Sequence, residues 1–98
     1  MNAHKINKSG ITKEQFAAAT TEQVIVDIHG RRWDILANLG APHGLPELMV
    51  RCPGHDAEDL TYHDDLGIID EEQGTIIELN DPRARIETSG TASRSDAW

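Results

Sequence analysis

Val24-Ile25-Val26-Asp27-Ile28-His29, then Gly30-Arg31, then Arg32-Trp33-Asp34-Ile35-Leu36, is the stretch on which the fold turns. β-branched residues dominate the first run and favour extended backbone. A Gly-X pair between two such runs predicts a hairpin with a two-residue type II′ loop. That register sets Ile28 against Trp33, Val26 against Ile35 and Val24 against Ala37, an apolar row fit to face a core. The other row sets Ile25 against Leu36, His29 against Arg32 and Asp27 against Asp34, the last a like-charge conflict. A rival reading makes residues 32–39 a helix closed by Gly40.

Upstream, Thr12-Lys13-Glu14-Gln15 matches the capping box, with Thr12 as N-cap and Gln15 at the third helical position. Ile11 and Phe16 stand at the two positions of a hydrophobic staple. Glu14 suits the positive end of the helix dipole. Ala17, Ala18 and Ala19 continue a short helix that Thr20-Thr21 ends. Downstream, residues 41–46 (Ala-Pro-His-Gly-Leu-Pro) read as a turn-rich connector. Residues 47–52 alternate, with Leu48, Val50 and Cys52 on one side, and predict a third strand. Pro53-Gly54 breaks it. Residues 60–63 predict a short edge strand. Residues 67–70 and 75–79 flank Glu71-Glu72-Gln73-Gly74 as a second hairpin with a four-residue loop. Residues 88–96, rich in Ser, Thr and Gly, read as disordered.

The elements sum to an α+β fold: a short N-terminal helix packed on a small antiparallel sheet of about five strands, with a small open β-barrel as the alternative. The expected divisions are a flexible arm over residues 1–10, one domain over 11–86 and a disordered tail over 87–98. Val24, Val26, Ile28, Trp33, Ile35, Leu48, Val50, Ile68 and Ile77 form the expected core. A chain of 98 residues has room for one such core.

Charge is distributed unevenly. The net charge is −8, and residues 52–82 hold ten Asp and Glu with no Lys or Arg. The flanking segments carry +1 each. This balance argues against direct binding of nucleic acid or of an anionic membrane. No run is apolar and long enough to span a bilayer, and residues 1–10 lack the apolar stretch of a signal peptide. A single cysteine excludes an internal disulfide and points to a reducing, cytoplasmic setting.

Several constellations could carry chemistry. Cys52-Pro53-Gly54-His55 has the spacing of a zinc-ligand pair; His63 follows, and His43 or an aspartate could complete the set. The bland alternative is a small buried thiol with histidines in surface loops. Asp56, Glu58, Asp59, Asp64 and Asp65 are calcium-type oxygen donors, but they do not match the spacing of an EF-hand loop. Cys52 with one of the histidines could in principle form a nucleophile–base pair, but nothing around it resembles a strained nucleophile turn. Phosphate-binding, dinucleotide-binding and H-E-x-x-H motifs are absent from the sequence. Arg31-Arg32-Trp33 pairs base-stacking and phosphate-binding residue types, yet reads better as a solvated turn with Trp33 in the core. Trp98 and the N-terminal arm could dock a structural subunit, for example of a virion, onto a neighbour. No cofactor is implied, and the reading is non-enzymatic.

Ten carboxylates between residues 56 and 81 cannot all be buried, because burying unpaired charge is too costly. They must cover a surface. That surface either serves dispersal alone or docks on a basic protein by electrostatic steering. Asp56, Glu58, Asp59, Asp64, Asp65, Asp70, Glu71 and Glu72 are the expected contact residues, and the expected partner is a protein with a basic, nucleic-acid-binding surface. In size, acidity and lack of catalytic motifs the chain resembles small phage-encoded inhibitors of host defence, including anti-CRISPR and anti-restriction proteins. It is similar in the same respects to immunity proteins that neutralise basic nuclease toxins. The resemblance implies occlusion of a nucleic-acid-binding site; it carries over no individual residues.

Overall fold

A computed structural model describes residues 10–88. It is mostly sheet. Seven antiparallel strands follow a single turn of helix: α1 (Lys13–Ala17), β1 (Gln23–Val26), β2 (Arg32–Gly40), β3 (Glu47–Arg51), β4 (Glu58–His63), β5 (Gly67–Asp70), β6 (Gly74–Glu78) and β7 (Arg85–Thr88). The sheet order is β6-β5-β4-β3-β2-β1-β7. The first six strands are therefore a meander, and β7 pairs back onto β1.

That order forces the sheet to curl. Laid flat, seven strands would hold the β6 and β7 edges about 29 Å apart. Yet residues 79–84 join them, and this connection contains two successive turns, Asp81 N–H to Glu78 O and Ala84 N–H to Asp81 O. Two such turns reach no more than about 18 Å to the start of β7. The result is a curled half-barrel. Irregularities in the β2–β3 pairing, at residues 35–37 and 38–40, and in the β5–β6 pairing, at residues 68–69, add the local bend and twist that curling needs.

Register decides what faces the lumen. Ile25 lies between Trp33 and Ile86, Val50 between Ile35 and Glu58, Leu60 between Leu48 and Asp70, and Ile68 between Tyr62 and Ile77. The apolar members of these rows belong to one buried cluster, joined by Ile11, Phe16, Ala19, Cys52 and Ala84.

The expected five strands are seven. The residues of β4, expected at an edge, sit inside the sheet between β3 and β5. The expected helix layer is one five-residue turn, too short to cover a sheet face. Its capping box is formed: Thr12 Oγ1 accepts from Gln15 N–H at 3.1 Å and Gln15 Oε1 from Thr12 N–H at 3.0 Å. So short a helix gains its stability from packing. Phe16 is fully buried, its ring 5.6 Å from that of Tyr62, and Asn38 Nδ2 donates to Ala17 O and Ala19 O, both at 2.9 Å.

The first hairpin forms, but its register differs from the expected one. Val24 faces Asp34 and Ile25 faces Trp33, because the loop is Ile28-His29-Gly30 and not Gly30-Arg31. Gly30 donates to Asp27 O and has φ +81°, so a type I turn is followed by a left-handed residue, the commonest three-residue hairpin loop. The slip is odd in number, so the faces exchange: Ile25 turns inward and Val24 and Val26 outward. These two valines are nonetheless buried. Their cross-strand neighbours are Asp34, Glu87, Arg32 and Arg85. Arg32 and Arg85 both pair with Glu87 on that face, where long charged side chains can cover apolar neighbours with their stems. The Asp27–Asp34 conflict disappears, since Asp34 stands between Val24 and Arg51. The second hairpin closes on the Asp70–Gly74 pair, with a loop of three residues in place of four.

The residues assigned to an arm (1–10) and a tail (87–98) lie outside the described residues except for Gly10, Glu87 and Thr88, and the last two end β7.

Candidate functional site

An antiparallel meander puts alternate connections at opposite ends. Residues 27–31, 52–57 and 71–73 gather at one end of the half-barrel; residues 41–46, 64–66 and 79–84 belong to the other, which helix α1 also serves through Phe16, Tyr62 and the Lys13–Asp64 ion pair (3.0 Å). At the helix end Phe16 and Tyr62 are buried; at the opposite, hairpin end the buried polar groups are Asp27 and Asp70.

Asp27 organises the first part of this polar rim. Its Oδ1 accepts from His29 N–H and Arg31 N–H, both at 2.9 Å, and its Oδ2 from the Trp33 indole at 3.0 Å. Burial alone would push the Asp27 carboxyl up; the Trp33 bond, the two backbone bonds and the Arg31 guanidinium outweigh it and hold the group below the usual carboxylate range. Arg31 also lies 5.9 Å over the Trp33 ring. Trp33 is buried, so its faces are not offered to a base.

The second part is acidic. A shallow concavity of about 520 Å³ is lined by Met49, His55, Asp56, Ala57 and the carboxylates Glu58, Asp59, Asp70, Glu71 and Glu72. Of the eight expected contact residues, Asp56, Glu58, Asp59, Asp70, Glu71 and Glu72 thus come together, and no Lys or Arg is among the lining residues. Asp64 and Asp65 do not join them. They sit in the β4–β5 turn at the helix end, where Asp64 pairs with Lys13. Within the group, Asp56, Asp59, Glu71 and Glu72 are exposed, Glu58 is half-buried and Asp70 is buried.

Glu47 belongs beside them and was not expected. The β3–β4 register sets it opposite Thr61, two pairs from Asp59 and on the same face, and burial followed by the Asp59 charge pushes its carboxyl up. The alternation of residues 47–52 already put Glu47 and Met49 on one face. Its acidity was hidden because the acid-rich run begins only after residue 52.

The zinc candidates are not brought together. Cys52 is buried and its thiol is pushed up chiefly by burial; His55 is exposed nearby; His63 ends β4 at the other end, its Nδ1 accepting from Asp65 N–H at 3.1 Å. His43 lies in the β2–β3 connection at that same other end. Among the described residues no group of three His, Cys, Asp or Glu side chains is placed to hold a metal ion. Trp98 and the N-terminal arm lie outside the described residues.

No protein-family model matches the sequence, and neither a curated protein nor a solved structure is significantly similar to it. Among the described residues no helix is long and apolar enough to cross a membrane.

Proposed function

We propose that the protein is a small non-enzymatic binding protein of the cytoplasm that occludes a basic, nucleic-acid-binding surface on a protein partner, in the manner of a phage-encoded inhibitor of host defence or an immunity protein. The observation that supports this reading is the gathering of six carboxylates around one concavity lined by no Lys or Arg. Like charges held at one end create a field that draws a basic surface in and orients it, raising the association rate as salt falls. A convex basic surface with Lys or Arg side chains meets complementary shape and charge there, and nucleic acid, being anionic, is excluded by competition. Asp56, Asp59, Glu71 and Glu72, exposed on the rim, make the contacts; Glu58 and Asp70 lie deeper.

The test uses affinity capture from the host with three baits. They are the native protein, a variant neutralised at the concavity (Asp56→Asn, Asp59→Asn, Glu71→Gln, Glu72→Gln), and one neutralised at the other end (Asp64→Asn, Asp65→Asn). The native protein and the Asp64/Asp65 variant should retain the same nucleic-acid-binding protein and displace its nucleic acid. The concavity variant should lose it, with a flatter dependence of binding on salt. Equal retention by all three, or a captured protein that keeps its nucleic acid, refutes the proposal.

A further inference from the structure

Two groups at the lumen rim have an arrangement that docking alone does not require. Glu58 and Asp70 stand on neighbouring strands, and register turns both toward the lumen, Glu58 beside Val50 and Asp70 beside Leu60. One amide ties them: Gln73 Nε2 donates to Asp70 Oδ2 at 3.0 Å and to Glu58 Oε1 at 3.3 Å. The Glu72 N–H donates to Asp70 Oδ1 at 3.1 Å, so the β5–β6 turn itself hangs on this carboxyl. The surrounding charges come from three segments. Glu72 in the β5–β6 turn adds negative charge, Arg31 in the β1–β2 turn opposes it from a distance, and Cys52 in the β3–β4 connection is a neutral thiol. His55, Asp56 and Glu71 line the same concavity. Among the described residues no Lys, Arg or His forms an ion pair with either carboxyl.

Two carboxylates drawn together on one amide donor, one of them buried, repel strongly when both ionise, and such pairs retain one proton between them. We infer that Glu58 and Asp70 form a proton-operated latch between β4 and the β5–β6 hairpin: protonated, the pair is hydrogen-bonded and the rim is closed; deprotonated, the hairpin end loosens and the concavity gains one negative charge. The bond to Asp70, then burial, then the charges of Asp70 and Glu72 push the Glu58 carboxyl up to about 7, so the latch works around neutral pH. The regulatory use of this latch rests on the docking reading above, while the latch itself is a property of the free chain.

The experiment is a carbon-13 carboxyl titration of the isolated protein. The Glu58 side-chain carboxyl should titrate with a midpoint near 7; a midpoint near the ordinary 4.5 overturns the proposal. Amide hydrogen exchange at Glu72, corrected for intrinsic base catalysis, gives a second reading. If opening returns Glu58 from about 7 to 4.5, the opening constant rises roughly tenfold between about pH 6 and about pH 8. Glu58→Gln keeps a neutral donor toward Asp70 and should flatten that rise; a rise that persists in Glu58→Gln refutes the assignment. Asp70→Asn should return the Glu58 midpoint toward the ordinary range, and a midpoint that stays near 7 refutes the pair. None of these readouts involves a partner, so failure of the capture experiment and failure of the latch are told apart.

Discussion

Replacing Asp27 by alanine should remove the side chain that holds the β1–β2 turn and anchors the Trp33 indole. The side chain accepts three hydrogen bonds, two from the turn N–H groups of His29 and Arg31 and one from the Trp33 indole. Hydrogen bonds to a charged group contribute about 1.5–3 kcal/mol each, but an exposed donor recovers much of that from water. His29 and Arg31 are exposed, whereas Trp33 is 3% exposed and its N–H would be left without a partner. A partnerless buried N–H costs about 1–3 kcal/mol, so the total for Asp27→Ala is about 3–4 kcal/mol. Asp27→Asn is the sharper comparison. Its amide has one oxygen where two acceptors are needed, so it must set an NH₂ either against the indole N–H or against the turn. A loss of about 2 kcal/mol is expected. The assay is urea unfolding followed by tryptophan fluorescence in a Trp98→Phe background, which leaves Trp33 as the single reporter of the two tryptophans. The pH dependence follows from the direction of the Asp27 shift. Its folded carboxyl lies below the ordinary 3.8, so its contribution is present above 3.8 and is lost as pH falls through the folded value. The gap between native protein and Asp27→Ala should therefore close in strong acid. A gap below about 0.5 kcal/mol at neutral pH, the size of an ordinary surface substitution, would refute the reasoning.

Gly67→Ala should abolish folding or cost about 4 kcal/mol or more, because φ is +101° and a Cβ would lie 2.3 Å from Ile77 O; circular dichroism and urea unfolding measure this, and a fully folded, native-like variant would disprove the close approach of β5 and β6. Asn38→Ala should destabilise by about 1–2 kcal/mol through loss of its bonds to Ala17 O and Ala19 O, and faster hydrogen exchange confined to residues 13–19 should accompany it.

The polar rim and the acidic concavity share one cause. The inward positions at the hairpin end adjoin tight turns whose N–H groups need acceptors. Asp27, Glu58 and Asp70 take those positions, and each is held by donors from an adjacent turn: His29 and Arg31, Gln73, and Glu72 with Gln73 respectively. An aspartate opens both rim turns, and glycines with positive φ, Gly30 and Gly74, complete them. The carboxylates that shape the rim are thus also the ones that give it its charge.

Local signals in the chain were enough for local structure. The capping box needs only Thr12 and Gln15, three residues apart, and the residue types that favour extended backbone between positions 24 and 79 mark strands wherever those strands pair. A signal for the correct first turn was present too: Asp27 followed at the fourth place by Gly30 is the preferred composition of a type I turn, and it competes with the Gly-X reading of Gly30-Arg31. Strand count, closure and the membership of the acidic end were set elsewhere. Neighbouring strands show only that each has a partner, and it took the pairing of β7 with β1 across the chain to curl the sheet. The antiparallel order of β3 to β6 brings Asp56, Glu58, Asp59, Asp70, Glu71 and Glu72 to one end and sends Asp64 and Asp65 to the other. Sequence supplies the charge and the turn chemistry because these are properties of single residues and their near neighbours; only tertiary structure decides which carboxylates meet, because in an antiparallel meander successive connections lie at opposite ends.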